Sequence, residues 1–152
     1  MSTTDTTPHI RILVADDNES WRLSVCSMLG LMADVQVIGE ASDGLEAVKK
    51  HRELKPDVIL LDIGLPRLNG IEASTRIAKT ASRTKILFVS GDNDADVARA
   101  ALSNGAYGYV LKADAGIEPL PAIKALLRDE KFVSSGIKVD DFSTFEGTHP
   151  RL

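Results

Sequence analysis

Val58-Ile59-Leu60-Leu61-Asp62-Ile63-Gly64-Leu65-Pro66 is the stretch on which the fold turns. Its first four positions are apolar without alternation. A strand with one face in water would alternate, so this one is expected to be covered on both faces, like a central strand of a parallel sheet. Upstream, Asp43-Gly44-Leu45-Glu46 opens a helix. Asp43 can accept from first-turn amides while Glu46 reaches back, as in a capping box. Ala47, Val48 and Leu54 supply its apolar face, and Val35–Ile38 before it reads as a strand. Further back, Trp21, Val25, Met28, Leu29 and Met32 recur at helical spacing from Ser20 onward. Ile10–Ala15 is a β-branched strand closed by Asp16-Asp17-Asn18.

Downstream the alternation continues. Helix signals run from Gly70 to Ala81, and a strand over Ile86–Val89 ends at Ser90. An Ala-rich helix from Ala95 to Leu102 is stopped by Gly105. The strand Gly108–Leu111 ends at Lys112, and a last helix begins near Pro119 and Pro121 and runs through Ile123, Leu126 and Leu127. Five strand–helix units in strict alternation predict an α/β fold: a doubly wound, five-stranded parallel sheet with helices on both faces.

Composition sets the class. The chain has 152 residues, one domain's worth, and 18 Lys+Arg against 22 Asp+Glu give a net charge of −4. That balance argues against coating a nucleic acid, which takes a basic face. With one cysteine, Cys26, no internal disulfide can form, and Cys26 reads as a small hydrophobe within its helix. Neither a signal peptide nor a membrane-length apolar run is visible, so a cytoplasmic protein is expected. Residues 1–8 read as a flexible tail, 9–134 as the domain, and 135–152 as a tail or linker.

Open parallel sheets bind ligands beyond the carboxyl ends of their strands. There the sequence puts Asp16 and Asp17 after the first strand, Asp62 after the third, Ser90 after the fourth and Lys112 after the fifth. Gathered carboxylates repel one another, and a hard divalent cation such as Mg²⁺ would relieve that repulsion. Lysine adds a positive charge and serine a donor, so the set suits a phosphoryl group, and a carboxylate there could be the nucleophile. The histidines His9, His51 and His149 have no ligand spacing, so a phosphodonor would be another protein.

In these motifs the sequence resembles the receiver domain of two-component response regulators. The matching pieces are Val14-Ala15-Asp16-Asp17-Asn18, Ala41-Ser42-Asp43-Gly44-Leu45-Glu46-Ala47, Leu61-Asp62-Ile63-Gly64-Leu65-Pro66 with Asn69-Gly70, Val89-Ser90-Gly91, and Gly105 to Lys112. The resemblance implies a flavodoxin-like sheet of order 2-1-3-4-5. It implies that Asp62 accepts phosphate from a histidine kinase or a histidine phosphotransfer protein. Asp17 would bind Mg²⁺ directly, Asp16 largely through water, with Asp62 and the backbone carbonyl of Gly64 completing the protein ligands. Lys112 would pair with the phosphoryl group. Ser90 would swing toward it, and Tyr109 would rotate inward into the vacated space. An effector or a second copy would then dock on the face of the fourth helix, last strand and fifth helix.

The approach to the last strand looks most like receivers of helix-turn-helix DNA-binding regulators. The tail is too short for such a domain, so direct nucleic-acid binding by this chain is not expected, and membrane association is not expected either. Two other functions compete. A phosphatase of the haloacid dehalogenase type needs a second carboxylate two residues after the nucleophile, where this chain has Gly64. A receiver-like interaction module working without phosphorylation would be favoured by loss of an acid, the lysine or the hydroxyl, and none is missing.

Overall fold

The computed structural model describes residues 10–80, 83–91, 95–112, 119–128 and 130–133. The expected tails 1–8 and 135–152, and Ala81 at the expected end of the third helix, lie outside the described residues.

Strands and helices alternate as β1 (Ile10–Ala15), α1 (Glu19–Leu29), β2 (Val35–Ala41), α2 (Gly44–Leu54), β3 (Val58–Asp62), α3 (Gly70–Ala78), β4 (Lys85–Ser90), α4 (Ala95–Ser103), β5 (Gly108–Leu111), α5 (Pro119–Leu127) and β6 (Phe132–Val133). The sheet is parallel throughout, in the order β2-β1-β3-β4-β5-β6. The five-strand order 2-1-3-4-5 is thus present, and β6 is an addition that the sequence reading missed. Two residues are too few to carry a periodic signal; β6 exists because β5 offers an open edge.

The pleat sorts each strand's side chains between two cores. Leu13, Ile59, Leu61, Phe88 and Tyr109 pack with Ala47 and Val48 of α2, Ala73 and Ile77 of α3, and Ala98, Ala101 and Leu102 of α4. Ile12, Val14, Leu60, Leu87 and Val110 face the other way, onto Val25 and Leu29 of α1 and Ala122, Ile123 and Leu126 of α5. Every residue of β3 is buried, which accounts for its unbroken apolar run.

Local chemistry fixes the helix starts. Asn18, Asp43 and Asn69 cap α1, α2 and α3, accepting from the amides of Trp21, Glu46 and Glu72 at 2.8–2.9 Å. The box at α2 differs from expectation: Glu46 reaches Ser42, one residue before the cap, at 2.8 Å to its amide and 3.2 Å to its hydroxyl. Accepting that amide bond holds the Glu46 carboxyl below its ordinary range.

Candidate functional site

The carboxyl ends of β1, β3, β4 and β5 bring the expected groups to one end of the sheet. Oxygen atoms of Asp16, Asp17 and Asp62 all lie within 4.8 Å of one another. Asp16 is 0% and Asp62 6% exposed, whereas Asp17 is open to solvent. Lys112, following β5, puts its ammonium 2.9 Å from Asp16 Oδ2, 3.2 Å from Asp16 Oδ1 and 3.5 Å from Asp62 Oδ2. Ser90 ends β4 and is buried; the neighbouring Val89 is in register with Asp62. Gly64 donates its amide to Asp62 Oδ1 at 3.1 Å, and a Cβ built at Gly64 would stand 3.9 Å from that oxygen.

The electrostatics follow from this crowding. Burial, then the neighbouring charge of Asp16, pushes the Asp62 carboxyl above its usual range, against the opposing pull of the Gly64 amide and Lys112. Burial alone would lower Lys112, but its hydrogen bond to Asp16 and the charges of Asp62 and Asp16 outweigh it, and the ammonium is held on. Asp16 Oδ2 is buried with no directed hydrogen bond among the described residues, although the ammonium is close by. A buried carboxylate with capacity left on its oxygen, beside two more carboxylates, fits a hard divalent cation with oxygen ligands.

Three features escaped the sequence reading. Arg22 donates to the backbone oxygen of Asp16 at 2.7 Å and to Glu40 Oε1 at 2.8 Å, pinning the acidic turn to the end of β2. Trp21, expected as core, does pack against the α1–α5 core, yet its ring centroid also lies 5.2 Å from the Lys112 ammonium. Gly44 and Gly70 let the backbone after Asp62 close on its neighbours. A Cβ at Gly44 would meet the Leu68 carbonyl at 1.7 Å, and one at Gly70 the Asp62 carbonyl at 2.2 Å. Nothing in the residue order marks Arg22 or Trp21, because their partners come from other elements; Gly44 is visible only as a motif glycine and Gly70 only as one that shapes its loop, without the backbone each of them meets.

Tyr109 is fully buried, packed in the core with Phe88, Ala98 and Leu102. A cavity of about 380 Å³, lined by His51, Arg52, Lys55, Asp57 and Thr84, is elsewhere and includes none of the strand-end groups.

Such a site, on such a sheet, is consistent with phosphoacceptor signalling. The response regulator receiver domain family model matches residues 12–119, and the chain belongs to that family. It is 38% identical over 128 residues to the transcriptional regulatory protein LiaR of Bacillus subtilis, covering 84% of this chain and 61% of that protein. It is 34% identical to the response regulator GacA of Pseudomonas viridiflava, covering 84% of this chain and 60% of GacA. The chain therefore spans about three fifths of the length of these curated relatives. Among solved structures, it superposes on the receiver domain of the putative regulator NarL from Mycobacterium tuberculosis with a TM-score of 0.76 and 30% identity, covering 80% of this chain and 98% of that one. A LuxR-family regulator from Aurantimonas gives a TM-score of 0.80 at 32% identity, over 85% and 92% of the two chains.

Receivers are not ordinarily conventional enzymes. Among the described residues, no helix is long and apolar enough to cross a membrane.

Proposed function

We propose that this chain is a phosphorylation-operated switch in which Asp62 accepts a phosphoryl group from a histidine kinase or a histidine phosphotransfer protein. The observation that carries the reading is the set of three carboxylates within 4.8 Å of one another with Lys112 against two of them. An Asp62 carboxylate oxygen attacks phosphorus as the phosphorus–nitrogen bond of the phosphohistidine breaks and its electron pair returns to the imidazole. The product is an acyl phosphate, which water later hydrolyses.

Asp16, Asp17, Asp62 and the Gly64 carbonyl would hold Mg²⁺, which when bound supplies the positive charge that lets a phosphoryl dianion approach the carboxylates. Lys112 meets a phosphoryl oxygen with its ammonium, and Ser90 offers a hydroxyl donor from the next strand. Tyr109 links that strand end to the face formed by α4, β5 and α5, where an effector or a second copy docks. The cytoplasm is the proposed compartment, residues 9–134 the proposed unit, and 135–152 a tail or linker. A transcriptional output such as the name of LiaR conveys would come from outside the receiver, because a net charge of −4 disfavours contact with nucleic-acid phosphates.

Incubation with phosphoramidate and Mg²⁺ should add one hydroxylamine-labile phosphate, abolished by EDTA and by Asp62→Asn. Undiminished labelling of Asp62→Asn would sink the assignment. Absence of any label on the wild type would leave the phosphorylation-independent interaction module in its place.

A further inference from the structure

We propose that Trp21 is a positioning residue for Lys112, its indole face holding the ammonium at the mouth of the acidic site while that ammonium changes partners. The inference rests on the phosphoacceptor reading of Asp62.

Lys112 has three neighbours of opposite character: Asp16 at 2.9 Å, Asp62 at 3.5 Å, and the Trp21 ring with its centroid 5.2 Å from Nζ. That separation is inside the range in which a ring face attracts a cation. The backbone beneath the ring is tied to the site. Asp16 Oδ1 accepts from the Asn18 amide at 2.8 Å, and Asn18 Oδ1 accepts from the Trp21 amide at 2.9 Å. The turn that carries Asp16 thereby sets the start of α1 and the backbone position from which the Trp21 side chain extends.

The chemistry explains why a ring suits this place. Before phosphorylation the ammonium lies against Asp16. To meet a phosphoryl group on Asp62 it must shift while remaining at the site. Its side chain is 24% exposed, on a flexible four-carbon stem that could swing into water. Another carboxylate would hold it in one geometry and add a negative charge where a dianion must arrive. A ring face attracts without fixing direction and carries no net charge, so the attraction persists through the shift.

The test uses the full chain, phosphoramidate and saturating Mg²⁺, with rates followed by intact mass. Trp21→Leu keeps an apolar body and removes the ring; it should be labelled about threefold more slowly, as expected for one cation–ring pair. Trp21→Phe should recover a rate near wild type, which a purely space-filling role would not require. Trp21 is the only tryptophan in the chain, so its emission reports the pair without phosphodonor. Lys112→Met should change that emission, a result independent of whether Trp21→Leu folds.

A Trp21→Leu rate equal to wild type overturns the role, as does Trp21→Phe as slow as Trp21→Leu, or emission indifferent to Lys112→Met. Wild type that takes no label overturns the phosphoacceptor reading, and this inference with it; labelled wild type with an unaffected Trp21→Leu overturns the role of Trp21 alone.

Discussion

Asp62 and His51 are both buried titratable residues, and their burial acts in opposite directions. For Asp62, burial and Asp16 disfavour the charged form, so at neutral pH the ionised carboxylate weighs against the fold. Asp62→Asn should therefore raise the thermal unfolding midpoint by a few degrees when measured in EDTA. Mg²⁺ should raise the wild-type midpoint and leave that of Asp62→Asn nearly unmoved, because a ligand stabilises only the state that binds it. An Asn variant less stable than wild type in EDTA would contradict the repulsion argument. His51 is 4% exposed, with Nε2 3.0 Å from Thr84 Oγ1; burial, then the charge of Arg52, lowers its pKa. A lowered histidine leaves stability intact above the unfolded value of about 6.5 and removes it as pH falls through the folded value. Unfolding midpoints taken from pH 7.5 down to 5.5 should thus fall in wild type and fall less in His51→Gln; equal slopes would discount His51. Cys26, whose thiol burial pushes up to about 11, needs no such account: it stays protonated and unreactive at neutral pH.

At the scale of elements, the decisive contact is between the start of α2 and the loop that follows Asp62. The Gly44 amide donates to the Pro66 carbonyl at 3.1 Å, and the Gly70 amide to the Ile63 carbonyl at 2.8 Å. Gly44→Ala would drive a Cβ into the Leu68 carbonyl. Overpacking of this kind costs about 1–3 kcal/mol, so chemical denaturation should show a loss in that range, with slower phosphorylation of Asp62. A neutral Gly44→Ala would mean that the loop has slack. At Gly64 the space over the carboxylate is open, and Gly64→Met should slow loss of phosphate by obstructing water; decay equal to wild type removes that basis. Asp92, two residues past Ser90 and able by its charge either to orient that water or to repel it, lies outside the described residues. These elements also separate what the sequence could tell from what it could not. The buried run of β3, the cap at Asp43 and the strand-end acids were legible because each signal is local. Arg22 on Asp16 and Trp21 over Lys112 were not, because each joins residues that only the fold brings together. β2 was read as ending at Ile38 but continues to Ala41: its last three residues, Gly39-Glu40-Ala41, lack an apolar alternation and are held by pairing with Leu13, Val14 and Ala15.

For the molecule as a whole, output requires that the phosphorylated and resting forms differ in affinity for a partner; a difference of 1.4 kcal/mol gives about tenfold. The proposed switch residue Tyr109 pairs in register with Phe88 of β4 on one side and Val133 of β6 on the other. Sedimentation and pull-down with and without beryllofluoride should reveal a response in self-association or partner binding that Tyr109→Ala abolishes. Indifference of both to beryllofluoride would end the switch reading.

The sheet order β2-β1-β3-β4-β5-β6 has a bearing on how the chain is made. From β1 to the β6 edge, position in the sheet after β3 is also order of synthesis. β2 flanks β1 on one side, β3 takes the other, and each later strand docks on an edge its predecessor has just presented. No strand has to wait for a later one to be inserted between it and its neighbour. A polypeptide leaving the ribosome at about 5–20 residues per second can add its sheet one strand at a time, with the newest edge bare at one side of the sheet and β2 fixed at the other. That edge remains bare until Phe132 and Val133 emerge, so a nascent chain halted before them would offer the backbone of β5 to any passing strand.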